Sequence, residues 1–214
     1  LSTLFVVYIS KDISKNVIVA ACAFGIVFTF TTDYNHAIDE KKHFMSALNV
    51  SFLNFDYTKT PITDTEIAKI PHLTRYVSID EWLENNYIPS ISSDVNMEDT
   101  PSTPANYSPI IYALPALGIT IARIFNGSIV DMYILGRIMN LALYTFLVYI
   151  AIKILPFKKN IFFFVAFIPY MLLLAASYSA VGICLGTIYI FVAYCLKIYK
   201  ESETISLKQF LILA

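Results

Sequence analysis

The sequence predicts an all-α protein: a polytopic bundle of transmembrane helices with one long extracytoplasmic loop that contains juxtamembrane helices. Three observations lead there. Of the 214 residues, 57% are hydrophobic and only 14% charged, where a soluble domain carries roughly 45–50% apolar and about 25% charged residues. The apolar surplus is gathered into runs long enough to cross a bilayer. The acids are gathered too, with 12 of the 16 Asp and Glu between Asp33 and Asp99. A formal net charge of -1 leaves no basic face to neutralise phosphates, which excludes a nucleic-acid partner. Membrane lipid is the expected surrounding instead.

Residues 1–32 read as N-terminal transmembrane helices. The first complete span runs from Asn16 to about Thr32, short but uncharged, with Lys11 and Lys15 before it. The chain opens on Leu1 inside one apolar run and stops at Ala214 inside another, with no signal peptide recognisable, so it reads as an internal fragment of a longer protein. Residues 33–108 form the extracytoplasmic loop, which holds Trp82 and most of the prolines. Short helices are expected in it, because Thr63-Asp64-Thr65-Glu66 and Ser78-Ile79-Asp80-Glu81 fit the capping box. Pro71 would end the first of them.

Residues 129–214 read as further transmembrane helices: the runs Ile129–Leu155, Ile161–Ala176 and Ile183–Leu196. Cys22, Cys184 and Cys195 all lie in apolar runs without a CxxC pair, and read as small buried hydrophobes. Lysines orient the whole. Lys11 and Lys15, then Lys153, Lys158 and Lys159, then Lys197, Lys200 and Lys208 form clusters that belong on the cytoplasmic side. Only an odd number of crossings then fits between the acidic loop and Lys153, although two apolar runs lie there. Ile129–Leu155 is long enough to cross. Pro109–Phe125, interrupted by Pro115, is left as a re-entrant or surface-lying helix, giving residues 109–128 a place of their own.

After the first span, a helix would put Asp39, Lys42, His43 and Ser46 on one face and Phe44, Leu48, Phe52 and Phe55 on another. Such a helix would lie at the membrane interface, apolar side down. Its polar face is either simply solvated or the site of chemistry, since a carboxylate there could act as general base. A charge within a span is costly and marks Arg137 either as functional or as a structural ion pair or snorkelling side chain.

The order Asp39-Glu40-x-x-His43-Phe44, then Tyr107-Ser108-Pro109-x-x-Tyr112-x-x-Pro115-Ala116-Leu117-Gly118, then Leu135-Gly136-Arg137-x-x-Asn140 resembles a bacterial family. It is a family of predicted membrane proteins of unknown function, related to the GT-C glycosyltransferases such as the protein O-mannosyltransferases. The resemblance implies sugar transfer from a polyprenyl-phosphate donor to a cell-envelope glycan, lipid or protein, at a bacterial plasma membrane and outside the cytoplasm. Asp39 takes the position of the general base, with Glu40, His43, Tyr107 and Arg137 as substrate-binding candidates. Arg137 would offset charge on the departing lipid phosphate. No cofactor and no metal is expected. Where relatives often carry an acid, in a Ser-x-Ser-Pro-Asp type stretch, this chain has Val181, so transfer is expected to be metal-independent.

Two other readings compete. In a transporter or flippase, Asp131 and Arg137 would line a path, with pseudo-symmetric halves and broken helices near the midplane; the sequence displays neither. A non-catalytic membrane scaffold is the other, and the Val181 departure allows it.

Overall fold

A computed structural model describes residues 12–32, 37, 39–55, 59–60, 98–99 and 107–201. The capping boxes at Thr63 and Ser78, Pro71 and Trp82 lie outside these residues. The described chain is helical apart from one short antiparallel pairing. Its elements are α1 (Ile13–Thr31, with a π-helical turn at Ala21–Gly25), α2 (Glu40–Ser51), strands β1 (Lys59–Thr60) and β2 (Glu98–Asp99), and α3 (Ala113–Ile124) entered through a 3-10 turn at Pro109–Tyr112. Then come α4 (Ile129–Ile154), α5 (Lys159–Ala166), α6 (Pro169–Ala175) and α7 (Ala180–Glu201).

Three of these, α1, α4 and α7, are long and apolar enough to cross a membrane, whereas Pro109–Ile124 is shorter. Helix α4 is the spine. Helix α1 runs against it in the opposite sense: Asp12 meets Lys153 at 3.6 Å at one end, and the carbonyls of Thr29 and Thr32 meet Arg137 at the other. Helix α7 runs in the same sense as α4, since Gly136 packs on Tyr178 and Gly186 on Leu147. The three spans therefore share a lysine end, with Lys153 and Lys197, and an opposite end, called the head here. The segment from Leu155 to Ser177 must climb back from the lysine end to the head, and it does so as two short helices.

That return is a correction. The run Ile161–Ala176 is broken between Ala166 and Pro169, because Pro169 has no amide proton to donate into the preceding turn. The break is closed locally, with the Tyr144 hydroxyl donating to the Ala166 carbonyl at 2.6 Å. A broken helix, absent from the sequence reading, is thus present. No charged side chain lies between Asn160 and Ala176 to make it an ion path.

Two apolar clusters divide α4. Toward the lysine end, Leu141, Tyr144 and Val148 pack with Val17, Phe163, Ala175 and Ala193. Toward the head, Ile129, Met132 and Tyr133 pack with Phe44, Leu48, Ile119 and Tyr178. From Arg137 to Lys153 the spine climbs about 24 Å, and from Thr32 back to Asp12 about 30 Å, at 1.5 Å per residue. Both approach the roughly 30 Å of bilayer hydrocarbon. The first two turns of α4, with α2 and α3 packed against them, form the head of the bundle.

Helix α2 corrects a second expectation. Its apolar side does not face lipid: Phe44 and Leu48 are fully buried against the spine, with Phe44 edge-on to Tyr133 and Tyr178 at 5.1 Å. On its polar side His43 and Ser46 are buried as well, while Asp39 and Lys42 stay about half exposed. Sequence spacing gave the faces correctly but could not show that a third helix covers one of them. At its far end the Arg123 guanidinium lies 3.4 Å from the Phe52 ring centre and donates to the Ser51 carbonyl at 3.3 Å, a cation at a helix C-terminus. The cysteines correct a third: Cys22 and Cys184 are exposed on the outer surface of spans, and only Cys195 is half-buried.

Candidate functional site at the head of the bundle

The motif Leu135-Gly136-Arg137-x-x-Asn140 explains how the head is assembled. Gly136 has no side chain, and a Cβ there would overlap the Tyr178 hydroxyl, which instead reaches past it to the Met132 carbonyl at 2.9 Å. Asn140 donates to the carbonyls of Ser177 (2.6 Å) and Ser179 (3.2 Å), fixing the turn between α6 and α7. Arg137 joins the remaining parts. Its Nε and Nη2 each lie 2.9 Å from an oxygen of Glu40. Its Nη1 donates to Thr29 and Thr32 at the end of α1, and Nη2 also meets the Tyr133 hydroxyl at 3.2 Å. Glu40 in turn accepts the backbone amide of Tyr178 at 3.1 Å. Both charged side chains are 0% exposed. A bidentate pair with its remaining donors satisfied is the arrangement in which buried charge is tolerated.

Asp39 is the opposite case. It stands immediately before the first residue of α2, in the left-handed region (φ 57°), a conformation Asp tolerates better than most residues. Its side chain makes no cap hydrogen bond and is 54% exposed, with Lys42 at 3.1 Å. One turn on, His43 is buried, its Nδ1 2.8 Å from the Tyr112 hydroxyl. Its ring lies 5.5 Å from that of Tyr107 and 5.9 Å from that of Tyr112. Burial pushes the His43 pKa below the usual histidine value, more than the nearby Asp39 and Glu40 carboxylates raise it. Tyr107 is half-exposed.

The structure thus brings Asp39, Glu40, His43, Tyr107 and Arg137 to one place, but in two layers. Glu40 and Arg137 are sealed against each other below; Asp39, Lys42 and Tyr107 are open above, with His43 between. Among the readings open for Arg137, the structure shows the ion pair, with Glu40. Asp131 is accounted for elsewhere: it forms a capping box with Ser128, its carboxylate accepting the Ser128 amide at 2.7 Å. The Ser128-x-x-Asp131 spacing was a legible signal for this. Tyr133 was also within reach of sequence reasoning, since it precedes Arg137 by one helical turn. Tyr178 was not, because nothing local ties it to Gly136. Val181 sits one residue into α7, part-exposed, its amide on the Ser179 hydroxyl at 3.2 Å. Among the described residues no three His, Cys, Asp or Glu side chains gather as a metal site would need.

Residues 22–214 match the family model described as predicted membrane protein (DUF2142). The chain belongs to that family. The match takes in the second half of α1, all of the head and every later element, so the DUF2142 region contains both layers of the site. With the three candidate spans, membership makes the chain a membrane protein. Compared with curated proteins and with solved structures, this DUF2142 chain shows no significant match to either.

Proposed function

We propose that the chain is a GT-C-like glycosyltransferase that moves a sugar from a polyprenyl-phosphate donor to a cell-envelope glycan, lipid or protein. The head of the bundle is its extracytoplasmic side, in a bacterial plasma membrane, and Asp39 is its general base. One observation carries this reading. Asp39 is open, without a capping duty, at the mouth of the head, while the adjacent Glu40 is locked to the spine by Arg137. A base must reach the proton it takes while its backbone stays fixed, and this pair of neighbours meets both demands.

The reaction follows from that placement. The acceptor hydroxyl attacks the anomeric carbon, its proton passes to the Asp39 carboxylate, and the bond from that carbon to the phosphate oxygen breaks. The lipid phosphate departs with the electron pair. Lys42, exposed and paired with Asp39 at 3.1 Å, is the cation that can pass to it as Asp39 takes the proton and loses its charge, whereas Arg137 stays sealed against Glu40. Arg137 and Glu40 serve by holding α2 in position. The half-exposed Tyr107 ring offers a flat face to a sugar, with His43 behind it. The transporter reading draws support from the break between α5 and α6, but Tyr144 closes that break and no charge enters it.

Asp39→Asn tests the proposal, because it preserves volume and removes the base. Transfer from a polyprenyl-phosphate sugar should fall by about 10²–10⁴-fold, with membrane insertion and thermal stability unchanged. Wild-type turnover in this variant would exclude Asp39 as the base. No transfer by the wild type across a broad donor and acceptor panel would favour the non-catalytic scaffold.

A further inference from the structure

A second feature lies far from the head, on the flank that α1 and α4 share. Between them runs a groove of about 410 Å³, walled by Ile18, Cys22 and Ile26 on one side and Ile138, Ala142 and Tyr149 on the other, with no charged side chain in its lining. Local sequence builds it. Gly25 lies against Leu141, where a Cβ would stand 2.7 Å from the leucine methyls, so the helices touch there. The π turn Ala21–Gly25 adds a residue to the α1 wall beside that contact, a device frequent at functional sites. Buried Ala21 and Leu141 form the floor, and half-exposed Ile18 and Phe146 the rim.

The two ends of the groove differ. Three residues before Ile18 on the α1 wall stands exposed Lys15; four residues after Tyr149 on the α4 wall stands Lys153, about one turn along each helix. Lys153 Nζ is 5.6 Å from the Tyr149 ring centre and 3.6 Å from Asp12. Among the described residues that mouth therefore holds two cations, Lys15 and Lys153, and one carboxylate, Asp12. At the other end, beyond Ile26 and Ile138, the nearest charge among the described residues is Arg137, paired with Glu40.

We propose that this groove is a lipid site that takes one acyl chain of an anionic glycerophospholipid, with the phosphate between Lys15 and Lys153. Volume and charge select that occupant. At about 410 Å³ the groove lies at the lower end of the roughly 300–1,000 Å³ of small-ligand sites, room for one flexible chain. A partner helix would need to seat a whole face. A polyprenyl phosphate would have to place its phosphate at the same lysine mouth, since among the described residues the cation at the other end, Arg137, is paired with Glu40. The site is independent of the transferase reading and stands or falls without it.

The test uses the whole chain, purified and delipidated in neutral detergent, then offered phosphatidylglycerol or phosphatidylcholine and weighed by native mass spectrometry. One phosphatidylglycerol per chain should be retained in preference to phosphatidylcholine. Lys15→Gln and Lys153→Gln should each reduce that preference about fivefold, the effect of one basic residue facing an anionic headgroup. Ala142→Trp should exclude both lipids by filling the groove. Independently, a brominated acyl chain should quench a fluorophore placed on Val27→Cys, exposed beside the groove wall, in a chain whose three native cysteines are serine. A preference untouched by both lysine substitutions overturns the proposal, as does an unquenched label. So does a polyprenyl phosphate that displaces phosphatidylglycerol equally well with and without the lysines, which would make the groove the seat of an isoprenoid tail.

Discussion

Arg137 and Glu40 hold each other through two parallel contacts of 2.9 Å, fully buried and 97 positions apart in the chain. Through this pair α1, α2, α4 and the turn before α7 are tied at one level, since Thr29, Thr32, Tyr133 and Tyr178 all bond to one partner or the other.

Breaking one side of the pair should therefore cost more than removing both. Glu40→Ala leaves a guanidinium buried without its carboxylate, and a loss of about 3–5 kcal/mol is expected. Glu40→Gln with Arg137→Met should be milder than either single change. Thermal unfolding in detergent compares the double variant with each single change; a double variant as costly as the sum of the singles would mean that the pair is not the tie described.

Gly136→Ala should destabilise the head by about 1–3 kcal/mol, the usual cost of overpacking a filled site. The added methyl falls on the Tyr178 hydroxyl. In a Tyr178→Ala background the same substitution should cost much less, because the space is then free. Equal costs in both backgrounds would place the glycine's role elsewhere.

His43 should make stability depend on pH in one direction. Its folded pKa lies below the ordinary 6.5 because burial disfavours the imidazolium. Between that folded value and 6.5 the unfolded chain binds more protons than the folded one, so stability rises with pH through this window. The contribution is complete above 6.5 and is lost as acidification carries the chain down to the folded pKa. His43→Gln should flatten that part of the profile, measured as Tm against pH. A variant whose acid slope matches the wild type would show that other groups set it.

Topology can be read with single cysteines in a background lacking the native three. Phe125→Cys, at a position 80% exposed in the turn between α3 and α4, should react with an impermeant reagent from the same side as a cysteine at Asp39. Lys158→Cys should react only from the other. If positions 125 and 158 label from one side, the chain does not cross between them and the lysine orientation fails.

By itself the sequence determined the membrane class and the approximate limits of α1, α4 and α7, because apolar runs of spanning length with few charges have no other stable home. It also marked Pro109–Phe125 as an apolar run shorter than those of α1, α4 and α7, and it spaced Asp39, Lys42 and His43 on one face of α2. What it could not decide was which of its charged residues meet. A carboxylate after the first span and an arginine in a later one carry no local sign of each other. Only when α1 and α4 pack antiparallel does Glu40 arrive at Arg137, and only then is Asp39 left as the open acid of the pair. The same holds for Gly136 and Tyr178, and for the break at Pro169 that Tyr144 closes. Periodicity is a property of one helix and can be read along the chain. The burial of a charge is a property of several helices at once, and only their packing settles it.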